Sequence, residues 1–151
     1  RILRRMKIAI GCDHAGYVYK EGIKRMLEAL GHEVIDFGTD STDNVDYPIY
    51  VRPAAEAVAR GEADRGIVLG GSGNGEAIVA NKVPGVRCAL VWDRKTAELA
   101  RRHNNANCIA IGERTVTRDL ALEMVELFLE TPFDGGRHEA RVRQIEPDQP
   151  Q

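Results

Sequence analysis

The chain lacks the features that mark several protein classes. Its formal net charge is only -2 over 151 residues, so no global basic field points to a nucleic-acid partner. No apolar run approaches the roughly 20 residues that a membrane span needs. The three cysteines, Cys12, Cys88 and Cys108, form no CxxC pair and no even-numbered disulfide framework. We therefore expect a reduced, cytoplasmic, soluble domain that binds neither nucleic acid nor membrane.

The length and the apolar content indicate one domain with its own core. Of the 151 residues, 43% are hydrophobic, and a chain of this size buries roughly 68–70% of its unfolded surface. The basic residues 1–5 precede Met6, and we interpret them as an upstream extension or as added residues. Residues 146–151 (EPDQPQ) are rich in Pro and Gln, which predicts a disordered tail. The domain is therefore expected to span residues 6–145.

Short apolar runs alternate with segments of helical periodicity along the chain. The runs are apolar on both faces, as in a parallel sheet covered on both sides. They are Lys7–Gly11, Glu33–Gly38, Gly66–Leu69, Arg87–Trp92 and Asn107–Ile111. The main helical segments are Tyr19–Leu30, Tyr50–Arg60, Lys95–His103 and Asp119–Leu129. The stripe expected to be buried in the first of them is Ile23, Met26, Leu27 and Leu30. The alternation predicts an α/β fold, with a doubly wound, five-stranded parallel sheet and helices on both faces.

Polar residues that directly follow a strand are the candidates for a site, because such sheets bind ligands beyond the carboxyl ends of their strands. The first predicted strand runs into Gly11-Cys12-Asp13-His14-Ala15-Gly16. Asp13 and His14 either serve a ligand or are a helix cap beside an incidental histidine, and the residues alone leave both open. Cys12 is either a thiol nucleophile or a small buried hydrophobic residue, and the second role is the commoner one.

The densest signal follows the third predicted strand and reads Gly70-Gly71-Ser72-Gly73-Asn74-Gly75-Glu76, ahead of a short helical run to Lys82. Glycines permit positive φ angles and turn several N–H groups into one concavity. At a helix N-terminus such a concavity holds an anion or a developing oxyanion. Glu76 would then take a proton from a carbon whose neighbouring carbonyl oxygen lies in the concavity. A tight structural turn, with a Glu that favours the helix start, is the alternative.

Nucleotide-binding motifs fit this loop less well. The run from Gly71 to Glu76 begins like a dinucleotide fingerprint, but Glu76 stands where the third glycine belongs and the run follows the third strand. Asp93 ends the next strand near the place of a ribose-binding acid, yet the Glu76 carboxylate would repel a pyrophosphate. A Walker loop is excluded because Gly-Lys-Ser/Thr is missing. Dinucleotide binding is therefore the weaker hypothesis.

Three further polar groups follow later elements. His103-Asn104-Asn105 ends a helical segment, where a lone surface histidine is the usual case, and Glu113-Arg114 follows the fifth strand. Gly135-Gly136 opens a C-terminal helical arm in which Arg137 and Arg141 would share one face. Two adjacent guanidinium groups repel each other unless an anion pairs with them, and phosphate suits their forked donors. A solvated basic face is the alternative, and the arm is placed to dock on a second subunit.

With these motifs, residues 6–145 resemble the ribose-5-phosphate isomerase B family. The matching blocks are Gly11–Gly16, Asp46–Pro48, Gly70–Glu76, Ala80–Lys82, Arg101–Asn105 and Gly135–His138. The resemblance implies a Rossmann-like fold and the interconversion of ribose 5-phosphate and ribulose 5-phosphate, with no metal and no organic cofactor. The alternatives are isomerisation of a six-carbon aldose phosphate and non-catalytic binding of a phosphosugar or nucleotide.

The resemblance also implies roles for the matched residues. One branch of the family uses a cysteine base at the position of Gly70, so this chain fits the branch whose base is a glutamate, at Glu76. Ser72 corresponds to the hydroxyl that assists proton transfer, His103 to the ring-opening acid and Asp13 to a ligand of a substrate hydroxyl. The residues that correspond to the anion hole are Gly71, Gly73, Asn74 and Gly75. The other substrate and phosphate ligands correspond to His14, Tyr47, Asn104, Arg114, Arg137 and Arg141.

The oligomeric state follows from the same resemblance. In the family, His103, Asn104 and the C-terminal arginines reach the site from the neighbouring subunit. The resemblance therefore implies a homodimer or a dimer of dimers whose sites are shared between subunits, with a small sugar phosphate as the other partner.

Overall fold

The computed structural model describes residues 4–147, which form one sheet surrounded by helices. Its strands are β1 (Lys7–Cys12), β2 (Glu33–Asp36), β3 (Arg65–Gly70), β4 (Cys88–Leu90) and β5 (Cys108–Gly112). Its α-helices are α1 (Tyr17–Ala29), α2 (Tyr47–Ala59), α3 (Asn74–Asn81), α4 (Arg94–Arg102), α5 (Arg118–Glu130) and α6 (Arg137–Arg143). A short 3₁₀ helix, His14–Gly16, precedes α1. All five strands are parallel, in the order β2-β1-β3-β5-β4, so the predicted α/β fold is confirmed.

Alternate residues of the central strands face two different cores. In β1, Ile8 points to one face and Ala9 to the other, because successive side chains of a strand alternate. The larger side chains pack with α1, α4 and α5, around Phe128. The smaller ones let α2 approach so closely that the carbonyl of Tyr50 takes the space of a Cβ on Gly11. Helices therefore cover both faces, as predicted, although the edge strands β2 and β4 stay partly exposed.

The first helix differs from its predicted stripe at one residue. Ile23 and Leu27 are fully buried, whereas Leu30 is 51% exposed. The prediction for Leu30 is wrong because the helix ends at Ala29. Leu30 is the C-cap, after which Gly31 turns the chain away with a φ of 90°.

Two strands are shorter than predicted, because the chain turns soon after each of them ends. β2 ends at Asp36, the N–H of Phe37 still donates to the carbonyl of Ile10 at 2.9 Å, and Gly38 then turns the chain with a φ of 97°. β4 ends at Leu90, and the next residues lead into α4: Asp93 is its N-cap, and the N–H of Trp92 donates to the Thr96 hydroxyl at 3.1 Å.

Among the helices of residues 4–147, none combines the length and the apolar character that crossing a bilayer requires. The predictions for residues 1–3 and 148–151 lie outside the described residues. In the described part of the predicted tail, the Glu146 carboxylate accepts a hydrogen bond from the N–H of Gly85 at 2.8 Å.

Candidate active site

The candidate site lies at the carboxyl ends of β1 and β3. The chain continues from β1 to one side of the sheet and from β3 to the other, so the loops after these strands diverge and leave a crevice. The loop after β5 completes the same edge, since the N–H groups of Glu113 and Arg114 donate to the carbonyls of Gly70 and Gly71, both at 2.8 Å. Three of the predicted strand-end segments are therefore neighbours.

One glycine of the loop has the positive φ that the sequence allows at all four. Gly73 has a φ of 83° and is the N-cap of α3, and a Cβ there would lie 2.7 Å from Cδ1 of Leu90. Glycine is thus required both by conformation and by space. The Ser72 hydroxyl accepts from the N–H of Asn74 at 3.2 Å. The first N–H groups of a helix have no intrahelical acceptor, so the start of α3 presents donors and a positive dipole end to an anion.

Glu76 lies in the first turn of α3 and is only 4% exposed. Burial raises the pKa of its carboxyl above the ordinary value, and the negative charge of Asp13 acts in the same direction. Backbone hydrogen bonds at Glu76 and Gly73 act against this rise in pKa. A carboxylate with a raised pKa is a stronger base than an ordinary carboxylate, and beside backbone donors it suits proton abstraction.

In the loop after β1, Asp13 caps a helix, and this role is compatible with its predicted role as a ligand. Its Oδ1 atom accepts from the N–H groups of Ala15 and Gly16, at 2.9 and 3.2 Å, so Asp13 caps the 3₁₀ helix. The N–H of Asp13 donates to the carbonyl of Leu69 at 3.4 Å, one residue before Gly70, and the negative charge of Asp13 raises the pKa of Glu76. Cys12 is fully buried, and burial raises the pKa of its thiol to about 12. The thiol is therefore unsuited to nucleophilic attack, and Cys12 is a buried hydrophobic residue.

Three more predicted ligands lie at the same edge of the sheet, two of them against the glycine loop. The Nδ1 atom of His14 accepts from the N–H of Val45 at 3.2 Å, which assigns the ring proton to Nε2 and leaves that N–H for a ligand. The Tyr47 ring lies against Gly75, where a Cβ would be 2.6 Å from its Cζ. The Arg114 guanidinium lies against Gly71, 3.3 Å from the position of a Cβ. One chain thus brings together Asp13, His14, Tyr47, the loop Gly71–Gly75, Glu76 and Arg114.

The remaining predicted residues lie at the other edge of the sheet. Helix α4 starts after the carboxyl end of β4 and runs back, so His103 and Asn104 follow it at the amino edge. There the carbonyl of Asn107 accepts from the N–H of Gly66, near the start of β3, at 2.9 Å. The six residues of β3 separate the two edges by roughly 17 Å, at about 3.3 Å per residue. Within one chain, His103 and Asn104 therefore do not share a site with Glu76.

The C-terminal helix α6 lies with this second group. The ring of His138 stacks on that of His103, with centroids 4.3 Å apart and planes 12° apart. The predicted helix is confirmed, and Arg137 and Arg141 stand on it one turn apart, both exposed. Arg137 and Arg141 are therefore neighbours of His103, not of the glycine loop of their own chain.

Two arginines, neither of which the sequence motifs single out, hold the turn that carries His103 and Asn104. Arg101, 6% exposed, donates through Nη1 to the carbonyl of Ala106 at 2.7 Å and through Nε to that of Thr131 at 3.1 Å. Arg87 donates twice to the carbonyl of Asn105, at 3.0 and 2.9 Å. The burial of Arg101 could have been predicted from the sequence, because Arg101 lies one turn after Ala97 on the buried stripe of α4.

Three residues near the site stabilise the fold. Gly112 ends β5, and a side chain there would collide with the backbone of Ser72. It pairs with Gly70 at the end of β3, so both strands end in a glycine at this edge of the sheet. Asn81, in a block shared with the family, pairs through its amide with both backbone groups of Cys88 at 2.8 Å. Asp93, considered as a ribose ligand, caps α4 by accepting from the N–H of Thr96 at 2.7 Å.

Comparison with known proteins extends over almost the whole chain. The model of the family described as Ribose/Galactose Isomerase matches residues 8–145. Ribose-5-phosphate isomerase B of Mycobacterium tuberculosis is 49% identical over 141 residues, which cover 91% of this chain and 86% of that protein. The structure of ribose-5-phosphate isomerase B of Clostridium thermocellum is 51% identical, with a TM-score of 0.92 over 94% of this chain and 96% of that one. The structure of ribose-5-phosphate isomerase B of Mycoplasma genitalium with bound ribulose-5-phosphate is 38% identical, with a TM-score of 0.90 over 93% of this chain and 94% of that one.

Proposed function

The chain belongs to the ribose/galactose isomerase family, and we propose that it interconverts ribose 5-phosphate and ribulose 5-phosphate with Glu76 as the base. The observation that carries this proposal is the buried Glu76 carboxylate beside the N–H groups at the start of α3. An aldose–ketose isomerisation moves a proton between two neighbouring carbons while negative charge develops on the carbonyl oxygen. It therefore needs a base and an anion hole at one place, which this loop combines.

The reaction proceeds through ring opening and two proton transfers, and a different residue of the site serves each step. His103 of a second subunit opens the sugar ring and exposes the aldehyde, and Asp13 binds a hydroxyl of the open chain. Glu76 removes the proton from C2, and the backbone donors of Gly71–Gly75 stabilise the enediolate oxygen. The Ser72 hydroxyl assists proton transfer between the two substrate oxygens. Glu76 then returns its proton to C1, so the base ends the cycle in its starting state.

Cationic and N–H donors bind the phosphate from two sides. Arg114 and the Nε2–H of His14 belong to the subunit that carries Glu76, where both flank the loops of the crevice. Arg137 and Arg141 belong to the neighbouring subunit, on its α6. Guanidinium groups match phosphate oxygens with two parallel hydrogen bonds, so this set selects phosphorylated sugars.

A complete site requires two subunits. The strand length that separates His103 from Glu76 in one chain is too large for both to touch one pentose, and this separation supports the proposal. In a two-fold symmetric dimer each chain gives its amino-edge residues to the glycine loop of the other, which generates two identical sites. We propose a homodimer or a dimer of dimers. The free cysteines Cys12, Cys88 and Cys108 fit the reducing environment of the cytoplasm, where we place the enzyme.

The role of Glu76 is tested by Glu76→Gln, assayed on ribose 5-phosphate with a chelator present. We expect kcat to fall by about 10²–10⁴-fold, the usual worth of a positioned base, while substrate still binds. Glu123→Gln, which changes an exposed carboxylate of α5 that pairs with Arg94, is the matched control. Near-normal turnover of Glu76→Gln, or a need for added metal, would reject the mechanism.

Two further measurements separate this function from the alternatives. Exchange of the C2 hydrogen of the substrate with solvent deuterium should occur with the unmodified protein and not with Glu76→Gln. A non-catalytic binding module would show no exchange in either. Comparison of kcat/KM across pentose and hexose phosphates should favour ribose 5-phosphate, and a preference for a six-carbon aldose phosphate would contradict the assigned substrate.

Subunit sharing is tested with hybrid dimers. Glu76→Gln and His103→Ala chains, each expected to be nearly inactive alone, are co-expressed with different tags. In a shared arrangement the hybrid contains one intact site, because the unmodified Glu76 of one chain meets the unmodified His103 of the other. Random pairing should then restore about a quarter of the normal activity. No restoration in a purified hybrid would show that each site lies within one chain.

A further inference from the structure

Three potential metal ligands meet between the end of α4 and the start of α6. They are His103, Asp134 and His138, and one ligand atom from each lies within 4.8 Å of the other two. Both histidines are partly exposed and Asp134 is exposed, so an ion can enter from solvent. Two imidazoles and one carboxylate form the donor set of open zinc sites, in which the fourth position is left to water.

The backbone around these ligands is already ordered. The N–H of Asp134 donates to the carbonyl of Arg102 at 3.0 Å, which joins the segment before α6 to the end of α4. The stacking of His103 on His138 joins the two helices a second time. Ligand atoms of a tetrahedral zinc site are about 3.4 Å apart. An imidazole binds a metal in the plane of its ring, so one of the two stacked rings has to turn out of the stack before both can share an ion. The ion does not have to assemble the site from a disordered chain.

We propose that His103, Asp134 and His138 bind a divalent transition-metal ion, with Zn²⁺ as the reference, and that the bound ion inhibits the isomerase. The inhibition rests on the proposed function, because the ion would occupy the imidazole of His103 that opens the sugar ring. Binding of the ion does not depend on that role. The ion is thus an inhibitor and has no part in the reaction.

The charges nearby limit the affinity. Arg102 contacts Asp134 at 3.4 Å, in an exposed pair that an ion must displace. Arg137 and Arg141 add positive charge on α6. We therefore expect affinity in the micromolar range, weaker than that of a closed structural zinc site.

Binding is tested by isothermal titration calorimetry of the chelator-treated protein with ZnCl₂ in phosphate-free buffer. We expect one ion per chain, and at least about tenfold weaker binding for His138→Gln and Asp134→Asn because each loses a ligand. Two controls should bind as the unmodified protein does. Glu139→Gln removes a neighbouring exposed carboxylate, and Cys88→Ser removes the one thiol of the described residues that is not fully buried. Circular dichroism checks that every variant is folded, and the visible spectrum of bound Co²⁺ reports tetrahedral coordination.

Inhibition is tested by measuring the isomerase rate of each variant with Zn²⁺ as a fraction of its own rate without metal. Zn²⁺ should inhibit the unmodified enzyme at concentrations that leave His138→Gln active, and a chelator should restore the rate. Unchanged zinc affinity in His138→Gln would overturn the site, as would loss of binding in Cys88→Ser. Full activity with the ion bound would overturn the inhibition. An enzyme without isomerase activity even in chelator would refute the proposed function, while the calorimetry would still test the metal site.

Discussion

The carboxylate of Glu76 occupies the space into which a side chain on Gly70 would project. The two residues are the last of β3 and the third of α3, so one tight turn sets them against each other. In this geometry a cysteine at position 70 and a buried glutamate at position 76 exclude one another by volume. The absence of a side chain at Gly70 is thus a condition for the carboxylate base.

Gly70→Ala should disturb the base without removing it. Gly70 has no positive φ, so alanine is allowed by the backbone and its Cβ displaces the Glu76 carboxylate. We expect kcat to fall by about 10²-fold, the usual effect of misplacing a catalytic group by roughly 1 Å. Steady-state kinetics of Gly70→Ala in the Glu76→Gln background is the control, because the added loss should disappear there. Equal losses in both backgrounds would mean that Gly70 acts independently of Glu76.

The raised pKa of Glu76 predicts a stability effect with a definite sign. A carboxyl whose folded-state pKa lies above its unfolded value contributes stability that is complete below the unfolded pKa and is lost as the pH rises through the folded pKa. Glu76→Gln should therefore unfold at higher urea concentration than the unmodified protein at pH 8, with a smaller difference at pH 4. A variant that is less stable at pH 8 would contradict this sign.

Arg137→Ala should raise KM for ribose 5-phosphate more than it lowers kcat. A hydrogen bond to a charged group contributes about 1.5–3 kcal/mol, which corresponds to a rise in KM of about 10- to 150-fold. Arg143→Ala is the matched control, because Arg143 stands on the same helix and pairs with Glu139 at 3.4 Å. If KM is unchanged in Arg137→Ala, the phosphate role of α6 is wrong.

Arg101→Lys should destabilise the fold although the charge is kept. One ammonium group cannot reach the carbonyls of Ala106 and Thr131 together, as the guanidinium does. We expect a loss of about 1–3 kcal/mol in the free energy of unfolding, the cost of leaving a buried acceptor unpaired. Urea denaturation measures it, with Arg25→Lys on the exposed side of α1 as the control. An equal effect in both variants would show that the fork geometry is unimportant.

Buried His32 predicts a loss of stability in acid. Its Nδ1 atom accepts from the N–H of Met6 at 3.0 Å, and its Nε2 atom has no hydrogen-bond partner among residues 4–147. Burial lowers the pKa of the ring. The neutral ring therefore contributes stability above the unfolded pKa of about 6.5, and this is lost as the pH falls through the folded pKa. His32→Asn, which keeps an acceptor near Nδ1, should show a flatter stability profile between pH 7 and pH 5 in urea denaturation.

Local patterns in the sequence were sufficient for the sheet and for the position of the glycine loop at the end of β3. The apolar run Lys7–Gly11 predicts a strand with two buried faces, and Gly70–Glu76 predicts a donor-lined loop at a strand end. Leu30 shows the limit of such patterns, since helical spacing alone does not reveal where the helix stops and the chain turns to solvent.

By itself the sequence determined which segments are strands and helices, which faces are apolar and which polar residues follow a strand, because these properties depend on neighbours along the chain. The tertiary structure alone decided that Glu76 lies against Gly70, that Arg101 reaches Thr131 and that His103 stands at the opposite edge from Glu76. Those relations depend on the order of the strands and on the direction in which each helix returns. Residues distant in the sequence become neighbours only when the sheet has assembled, and no periodicity of the chain encodes that order.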